Sequence, residues 1–373
     1  MELPPPVRFD DTAIAFKYKS DKELKKARFI FTVVNNPFIS KLSPGAVKLG
    51  MALHFPIKSI VRNTVFEHFC GGETIEKTEQ TVRHIGEFNV KTILDYSVEG
   101  EKTEQGFDAT CEEILHTFDK AVKSTHIPFC VFKVTGMADS GLLEKIQSGA
   151  PLRAEEQSAF EKAKARVDKI CAKAHALGIP VLVDAEESWI QDPIDLLAYE
   201  MMARYNRSRA IVFNTFQMYR KDMLGNLRSA LDTATQGNYF LGVKLVRGAY
   251  MEKERTRSVD KGYADPIQPS KQATDDDFNT ALAFCMDNLQ RISVVCGSHN
   301  EHSNQYLAIL MQQRGVDPAD KRVWFAQLLG MSDNISFNLA KCGYNVAKYV
   351  PYGPVEAVMP YLLRRASENT SVA

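Results

Sequence analysis

The feature that most constrains this chain is an alternation repeated eight times. From about residue 88 onward, short apolar runs rich in β-branched and aromatic side chains alternate with longer segments whose apolar residues recur at helical spacing. The runs are Val90–Tyr96, Phe129–Val134, Pro180–Asp184, Ala210–Phe216, Tyr239–Val246, Ile292–Cys296, Val323–Leu329 and Val346–Val350. The helical segments are Gln105–Lys123, Glu155–Leu177, Ile194–Tyr205, Met223–Thr235, Asp276–Gln290, Ser303–Gln313, Ser332–Lys341 and a last one from Glu356. Near-continuous apolar strands covered by helices mean a parallel sheet. Eight such units in a segment of this length predict an α/β fold, a (β/α)8 TIM-like barrel. A doubly wound sheet is the structural rival, but it usually carries a glycine-rich first turn, and no GxGxxG stands in this chain.

Residues 1–87 lack the alternation and read as an N-terminal helical segment packed on a barrel at 88–373. Apolar residues recur at helical spacing from Val47 to Phe69, with Pro56 expected to break or kink that helix. This stretch reads as a helix packed on the main body, with a membrane-surface helix as the alternative.

Composition narrows the classes. Lys+Arg and Asp+Glu are equal at 46 each, which disfavours nucleic acid as a partner. The seven cysteines are odd in number and form no CxxC pair, which argues against a disulfide framework or structural zinc and for a reducing compartment. The start has neither a basic n-region nor an apolar h-region, so no signal peptide is expected. No apolar stretch approaches the roughly 20 residues that span a bilayer.

Barrel enzymes place their chemistry at the C-terminal ends of the strands. The polar residues there are Lys133; Asp184-Ala185-Glu186-Glu187; Asn214 and Gln217; Lys244, Arg247, Gly248, Ala249 and Tyr250; Ser298-His299-Asn300; Gln327; and Lys348, Tyr349 and Tyr352. Singly, each has a structural reading: an ion pair for a lysine or aspartate, a satisfied histidine, an amide bonded inside a barrel layer. Together, lysines, an arginine, carboxylates, amides and tyrosines at one mouth suit an anionic, many-armed ligand. No metal set fits. The stretch from Met251 to Thr274 reads as a long βα loop, either a cover over the mouth or a solvated excursion.

The last helix carries the most pointed pattern. Tyr361, Arg364, Arg365 and Glu368 fall at i, i+3, i+4 and i+7, one stripe of a helix. Two adjacent guanidinium groups repel unless an anion sits between them, and arginine binds carboxylate through a planar fork. A small zwitterion satisfies the stripe, with its carboxylate on the arginines and its ammonium on the glutamate. The alternative is that the arginines answer the helix dipole and lie in water.

The motifs Phe132-Lys133-Val134-Thr135-Gly136, Asp184-Ala185-Glu186-Glu187-Ser188, Lys244-Leu245-Val246-Arg247-Gly248-Ala249-Tyr250, Ser298-His299-Asn300, Tyr349-Val350-Pro351-Tyr352-Gly353 and Tyr361-Leu362-Leu363-Arg364-Arg365 with Glu368-Asn369 stand in order at the expected strand ends. In these the chain resembles the proline dehydrogenase family over about residues 88–370. The resemblance implies a distorted (β/α)8 barrel with FAD across its mouth. It also implies oxidation of L-proline to 1-pyrroline-5-carboxylate, with electrons passed to a membrane quinone.

By position, the resemblance implies that Arg364 and Arg365 hold the proline carboxylate and that Glu368 faces the ring nitrogen. Lys133 and Asp184 lie at the substrate end, Tyr250, Tyr349 and Tyr361 wall the ring, and Asp184 and Lys244 are the catalytic candidates. Cofactor contacts fall to Ala185, Asn214, Gln217, Lys244, Arg247, Gly248, Ala249, Ser298, His299 and Asn300. Lys244 and Asn214 stand where many members have Arg and Gln, a eukaryotic-like pattern. Tyr349 stands where hydroxyproline oxidases have a smaller residue, which favours proline over hydroxyproline. A Schiff-base barrel lyase using Lys133 or Lys244 is the rival activity. The resemblance places the protein in the cytoplasm at the inner membrane surface, or in the mitochondrion if eukaryotic, with residues 41–70 as the expected contact.

Overall fold

The computed structural model describes residues 6–34, 65–98 and 101–362. Its centre is a closed barrel of eight parallel strands in sequential order, with β8 pairing back onto β1. The strands are β1 Val90–Tyr96, β2 Phe129–Phe132, β3 Val181–Val183, β4 Val212–Gln217, β5 Leu241–Val246, β6 Ile292–Gly297, β7 Val323–Leu328 and β8 Val346–Tyr352. The alternation in the sequence is thus the alternation of the fold.

Among the described residues, the helices of more than one turn before β1 are α1 Thr12–Phe16, α2 Asp21–Val34 and α3 Glu79–Gly86. Around the barrel run α4 Glu104–Val122, α5 Ser140–Gln147, α6 Ala154–Leu177, α7 Gln191–Tyr205, α8 Met223–Gln236, α9 Met251–Lys261, α10 Lys271–Asp287, α11 Glu301–Gln313 and α12 Asp333–Lys341. Residues 355–362 form α13. Several helices begin where the sequence supplies a cap. Thr103, Asp139, Ser270 and Asn300 each accept a backbone N–H of the first turn, at 2.9–3.1 Å.

Two segments differ from the sequence reading. Residues 251–274 are not a loop: they hold α9 and the start of α10. Helix α9 is polar nearly all round, with only Glu254 and Ser258 buried, so it shows no apolar period. Polar contacts hold it instead. Glu254 accepts from the Ser188 amide and hydroxyl (2.6 and 2.5 Å). Lys253 pairs with Glu187, Arg257 pairs with Glu144, and Arg257 lies 4.4 Å over the Trp189 ring. Helix α10 starts at Lys271, earlier than its apolar spacing suggests, because Ser270 caps it. Helix α5, which the sequence reading passed over, follows its own Asp139 cap and buries Leu142 and Leu143.

The inner face of the barrel follows from strand alternation. Ile93, Phe129, Val131, Leu182, Phe213, Val295, Ala326, Ala347 and Tyr349 form one buried cluster inside the strands. The outer faces pack with the helices into a separate core that also takes in Val7, Phe9, Val82 and Ile85 from before β1. Helix α3 lies against β1, while α13 packs on Phe66, Phe69 and Cys70.

The segment before β1 is also tied to the barrel by charge. Asp333 at the start of α12 accepts from Lys348 of β8 (2.8 Å), Lys19 (2.7 Å) and the Tyr18 hydroxyl (2.6 Å), and Tyr18 stacks on Phe337 at 4.2 Å. Lys348 is 1% exposed. Burial works against the Asp333 carboxylate, but the two lysines outweigh it and hold its pKa well below the usual range. The helix expected over Val47–Phe69 and the membrane contact expected at residues 41–70 lie largely outside the described residues; within them, a single turn at Glu67–Phe69 is helical. Among the described residues no helix is long and apolar enough to cross a membrane.

Candidate active site

Parity decides which strand-end residues reach the mouth. In β4, Phe213 faces inward, so Thr215 and Gln217 do also, and Thr215 sits beside Lys244 of β5. By the same count, Asp95, Lys133, Asp184, Lys244 and Tyr349 point inward at the C-terminal end. Four of them meet. Asp184 accepts from Lys244 at 2.5 Å and from Lys133 at 3.3 Å. Lys244 also donates to the Tyr349 hydroxyl at 2.6 Å, with its ammonium 4.6 Å from the Tyr349 ring centroid. The Tyr349 hydroxyl lies 3.3 Å from Asp184.

The electrostatics of this cluster follow from burial and pairing. Burial alone would raise the Asp184 carboxyl, but Lys244 and Lys133 outweigh it and hold its pKa below the usual carboxylate value. Burial pulls Lys244 below a solvated lysine, with Asp184 opposing. Tyr349 is pushed well above a free phenol by burial and then by Asp184, so it stays a protonated donor. Glu186, 3% exposed, is pushed up to about 7 by burial, although it accepts the Thr135 amide (3.0 Å) and hydroxyl.

Beside the cluster lies a cleft of about 920 Å3, lined by Lys133, Glu186, Tyr219, Arg247, Tyr250 and Lys271 among others. That volume is near the upper end for small-molecule sites and far exceeds a single small amino acid. Gly248 and Ala249 form part of its wall. Gly248 has φ +130°, and a side chain there would run into the Tyr219 ring at 2.4 Å, so only glycine lets β5 leave the barrel at this point.

The remaining expected residues divide. Arg247 donates to Asp275 (2.7 Å), Ser298 (2.8 Å) and Ser303 (2.9 Å), its guanidinium 4.4 Å over Phe278. The His299 Nδ1 meets the Ser332 hydroxyl at 2.9 Å. The Asn300 side chain caps α11. Gln217 faces the barrel axis, and its buried amide oxygen has no hydrogen-bond partner among the described residues. Ala185 follows β3 in the loop beside Asp184. Tyr361 packs with Phe66, Phe69, Val355 and Val358 at 7% exposure.

Asn214 departs from expectation. It faces outward and donates to Asp195 of α7 at 2.7 Å, because Val212, Asn214 and Phe216 share the helix-facing side of β4. Arg364, Arg365 and Glu368 lie outside the described residues. Sequence reasoning did not single out Asp95, which lies one residue before the end of β1 on its inner face at 5% exposure and accepts the Ser97 hydroxyl at 2.6 Å. A carboxylate two residues beyond inward-facing Ile93 was the available signal.

The family model for proline dehydrogenase matches residues 78–373. The chain belongs to the proline dehydrogenase family. It is 33% identical over 404 residues to "Proline dehydrogenase 1, mitochondrial" of Dictyostelium discoideum, covering 96% of this chain and 71% of that protein. It is also 32% identical over 404 residues to the "Hydroxyproline dehydrogenase" of Xenopus laevis, covering 98% of this chain and 86% of that one. Among solved structures it matches proline utilization A from Bdellovibrio bacteriovorus inactivated by N-propargylglycine, with a TM-score of 0.75 at 18% identity. That match covers 96% of this chain and 38% of the solved chain, and it shows the shared barrel fold. Members of the proline dehydrogenase family are oxidoreductases, and this chain is one of them.

Proposed function

We propose that this protein oxidises L-proline to 1-pyrroline-5-carboxylate with FAD as its cofactor. The observation that carries the reading is the inward cluster of Lys133, Asp184, Lys244 and Tyr349 beside a cleft too large for the substrate alone. The residues suit a flavin on chemical grounds. Arg247 and Lys271, which share Asp275 as their counter-charge, leave the cleft wall a net positive charge for a pyrophosphate, and Gln217 holds a buried amide oxygen with no partner among the described residues. FAD, when bound, takes up the hydride equivalent that proline loses from C5.

The chain's own residues bind, orient and exclude water. Lys133 and Lys244 offer positive charge, and Asp184 fixes both ammonium groups in place. Tyr349 is held by Lys244, so its ring is a fixed wall against the substrate. Arg364, Arg365 and Glu368 are assigned to the carboxylate and the ring nitrogen. Loss of the C5 hydride and the nitrogen proton leaves the cyclic imine. Positioning is the protein's main contribution, because the cofactor carries the redox step. The electrons are assigned to a membrane quinone; of residues 41–70, expected to meet the membrane, Phe66, Phe69 and Cys70 are buried against α13 and take no part in that contact.

The likeness to a hydroxyproline dehydrogenase gives the second reading, oxidation of hydroxyproline by the same route. Tyr349 favours proline, since a fixed phenol crowds a ring hydroxyl. The test is a visible spectrum of the purified protein before and after adding proline without oxygen. A flavin spectrum that bleaches with proline, and less with trans-4-hydroxyproline, is expected. A colourless protein that takes up no FAD refutes the reading.

A further inference from the structure

Three described non-glycine residues have positive φ: Asn89, Asn238 and Ser332. Asparagine tolerates the left-handed region through its short amide; serine does so much less readily. Ser332 sits at φ +50°, ψ +44°, in the N-cap position of α12. Serine is a favoured cap because its hydroxyl normally accepts a first-turn N–H. Here it caps nothing. The hydroxyl reaches across to the loop after β6 and meets the His299 Nδ1 at 2.9 Å. Ser332 therefore gives up both a relaxed backbone and a cap. Strain of this kind persists where the surroundings over-determine it, and it gathers at functional sites.

The surroundings do over-determine it. The Lys348 ammonium, anchored on Asp333, also donates to the Met331 carbonyl and lies 3.4 Å from the Leu328 carbonyl. The His68 ring meets the Gly330 carbonyl at 3.0 Å. The turn from Leu328 to Asp333 is thus pinned from β8 on one side and from the segment before β1 on the other.

We propose that Ser332 is a positioning residue that fixes the orientation of the His299 imidazole at the barrel mouth by holding its Nδ1 edge. The proposal rests on the reading of a flavin at the barrel mouth. Lys348, Asp333 and His68 hold the turn that holds Ser332, so the segment before β1 bears on His299 through it.

Two variants separate the hydroxyl from the backbone. Ser332→Gly removes the hydroxyl and suits positive φ; Ser332→Ala removes it and keeps the strain. In the flavin-free protein, both are expected to shift the His299 ring-nitrogen NMR resonances and to leave those of His84 unmoved. In the flavin-loaded protein, both are expected to weaken FAD retention roughly tenfold, the loss expected for one buried hydrogen bond. Ser332→Gly should do so while raising Tm. Unmoved His299 resonances in both variants overturn the proposal, as does full FAD retention by Ser332→Gly when His299→Ala loses it. A His299→Ala variant that keeps FAD as tightly as the parent fails the cofactor reading of His299 alone. The flavin-free resonances then still decide whether Ser332 holds the ring.

Discussion

Replacing Asp184 with asparagine tests the centre of the site. The change keeps the shape and removes one charge. It leaves Lys244, 5% exposed, without the carboxylate 2.5 Å away, and removes the partner of Lys133 at 3.3 Å. Breaking a buried ion pair from one side costs about 3–5 kcal/mol, because the remaining charge is stranded. Unfolding entropy is about 2.1 cal/mol/K per residue. For 373 residues this converts each kcal/mol to roughly 1.3 °C, so Asp184→Asn should lower Tm by about 4–6 °C at pH 7. The sign of the pH dependence follows from Lys244. Without Asp184, burial depresses its folded pKa further below the unfolded value. A depressed lysine contributes stability above its unfolded pKa and loses it as pH falls through the folded pKa. The deficit should therefore shrink between pH 7 and pH 10. Differential scanning calorimetry of parent and variant across that range is the assay. Equal Tm values at both ends would show that Asp184 is not the counter-charge of a buried lysine.

Other outcomes follow from the same groups. The Glu186 carboxyl is raised to about 7 by burial; its stabilising contribution is complete below its unfolded pKa and is lost as pH rises toward 7. Glu186→Gln should thus gain Tm relative to the parent at pH 8 and not at pH 4.5, measured by thermal melts. Arg364→Met or Arg365→Met should cost several kcal/mol in kcat/KM for proline, on the scale of a buried charge-assisted pair. Steady-state kinetics check this, and an unchanged kcat/KM in either variant would remove that arginine from the carboxylate clamp.

The barrel was legible because its strands are buried on both faces and so write continuous apolar runs. Helices α4, α6 and α8 were legible because one face of each is apolar. Helix α9 was not, since Glu254, Lys253 and Arg257 hold it by polar contacts that leave no period in the sequence. The candidate cluster was legible at Lys133, Asp184, Lys244 and Tyr349, where a charge or phenol ends an apolar strand. Strand parity marked the limit. Asn214 and Gln217 both suggest a ligand by residue type, but three positions along a strand put them on opposite faces. Asp195, the partner of Asn214, is nineteen residues away on α7, a distance no local pattern reports.

The bonds that Lys19 and Tyr18 donate to Asp333, which also accepts from Lys348, bear on where this protein can be cut. The family match begins at residue 78, and a fragment made to that boundary looks natural on an alignment. It would uncover the Phe337 ring where Tyr18 stacks and strip one of the two cations from Asp333. It would also take away the Val7 and Phe9 side chains that share the helix-layer core. A piece cut at the family boundary should therefore be less stable than one that keeps these contacts.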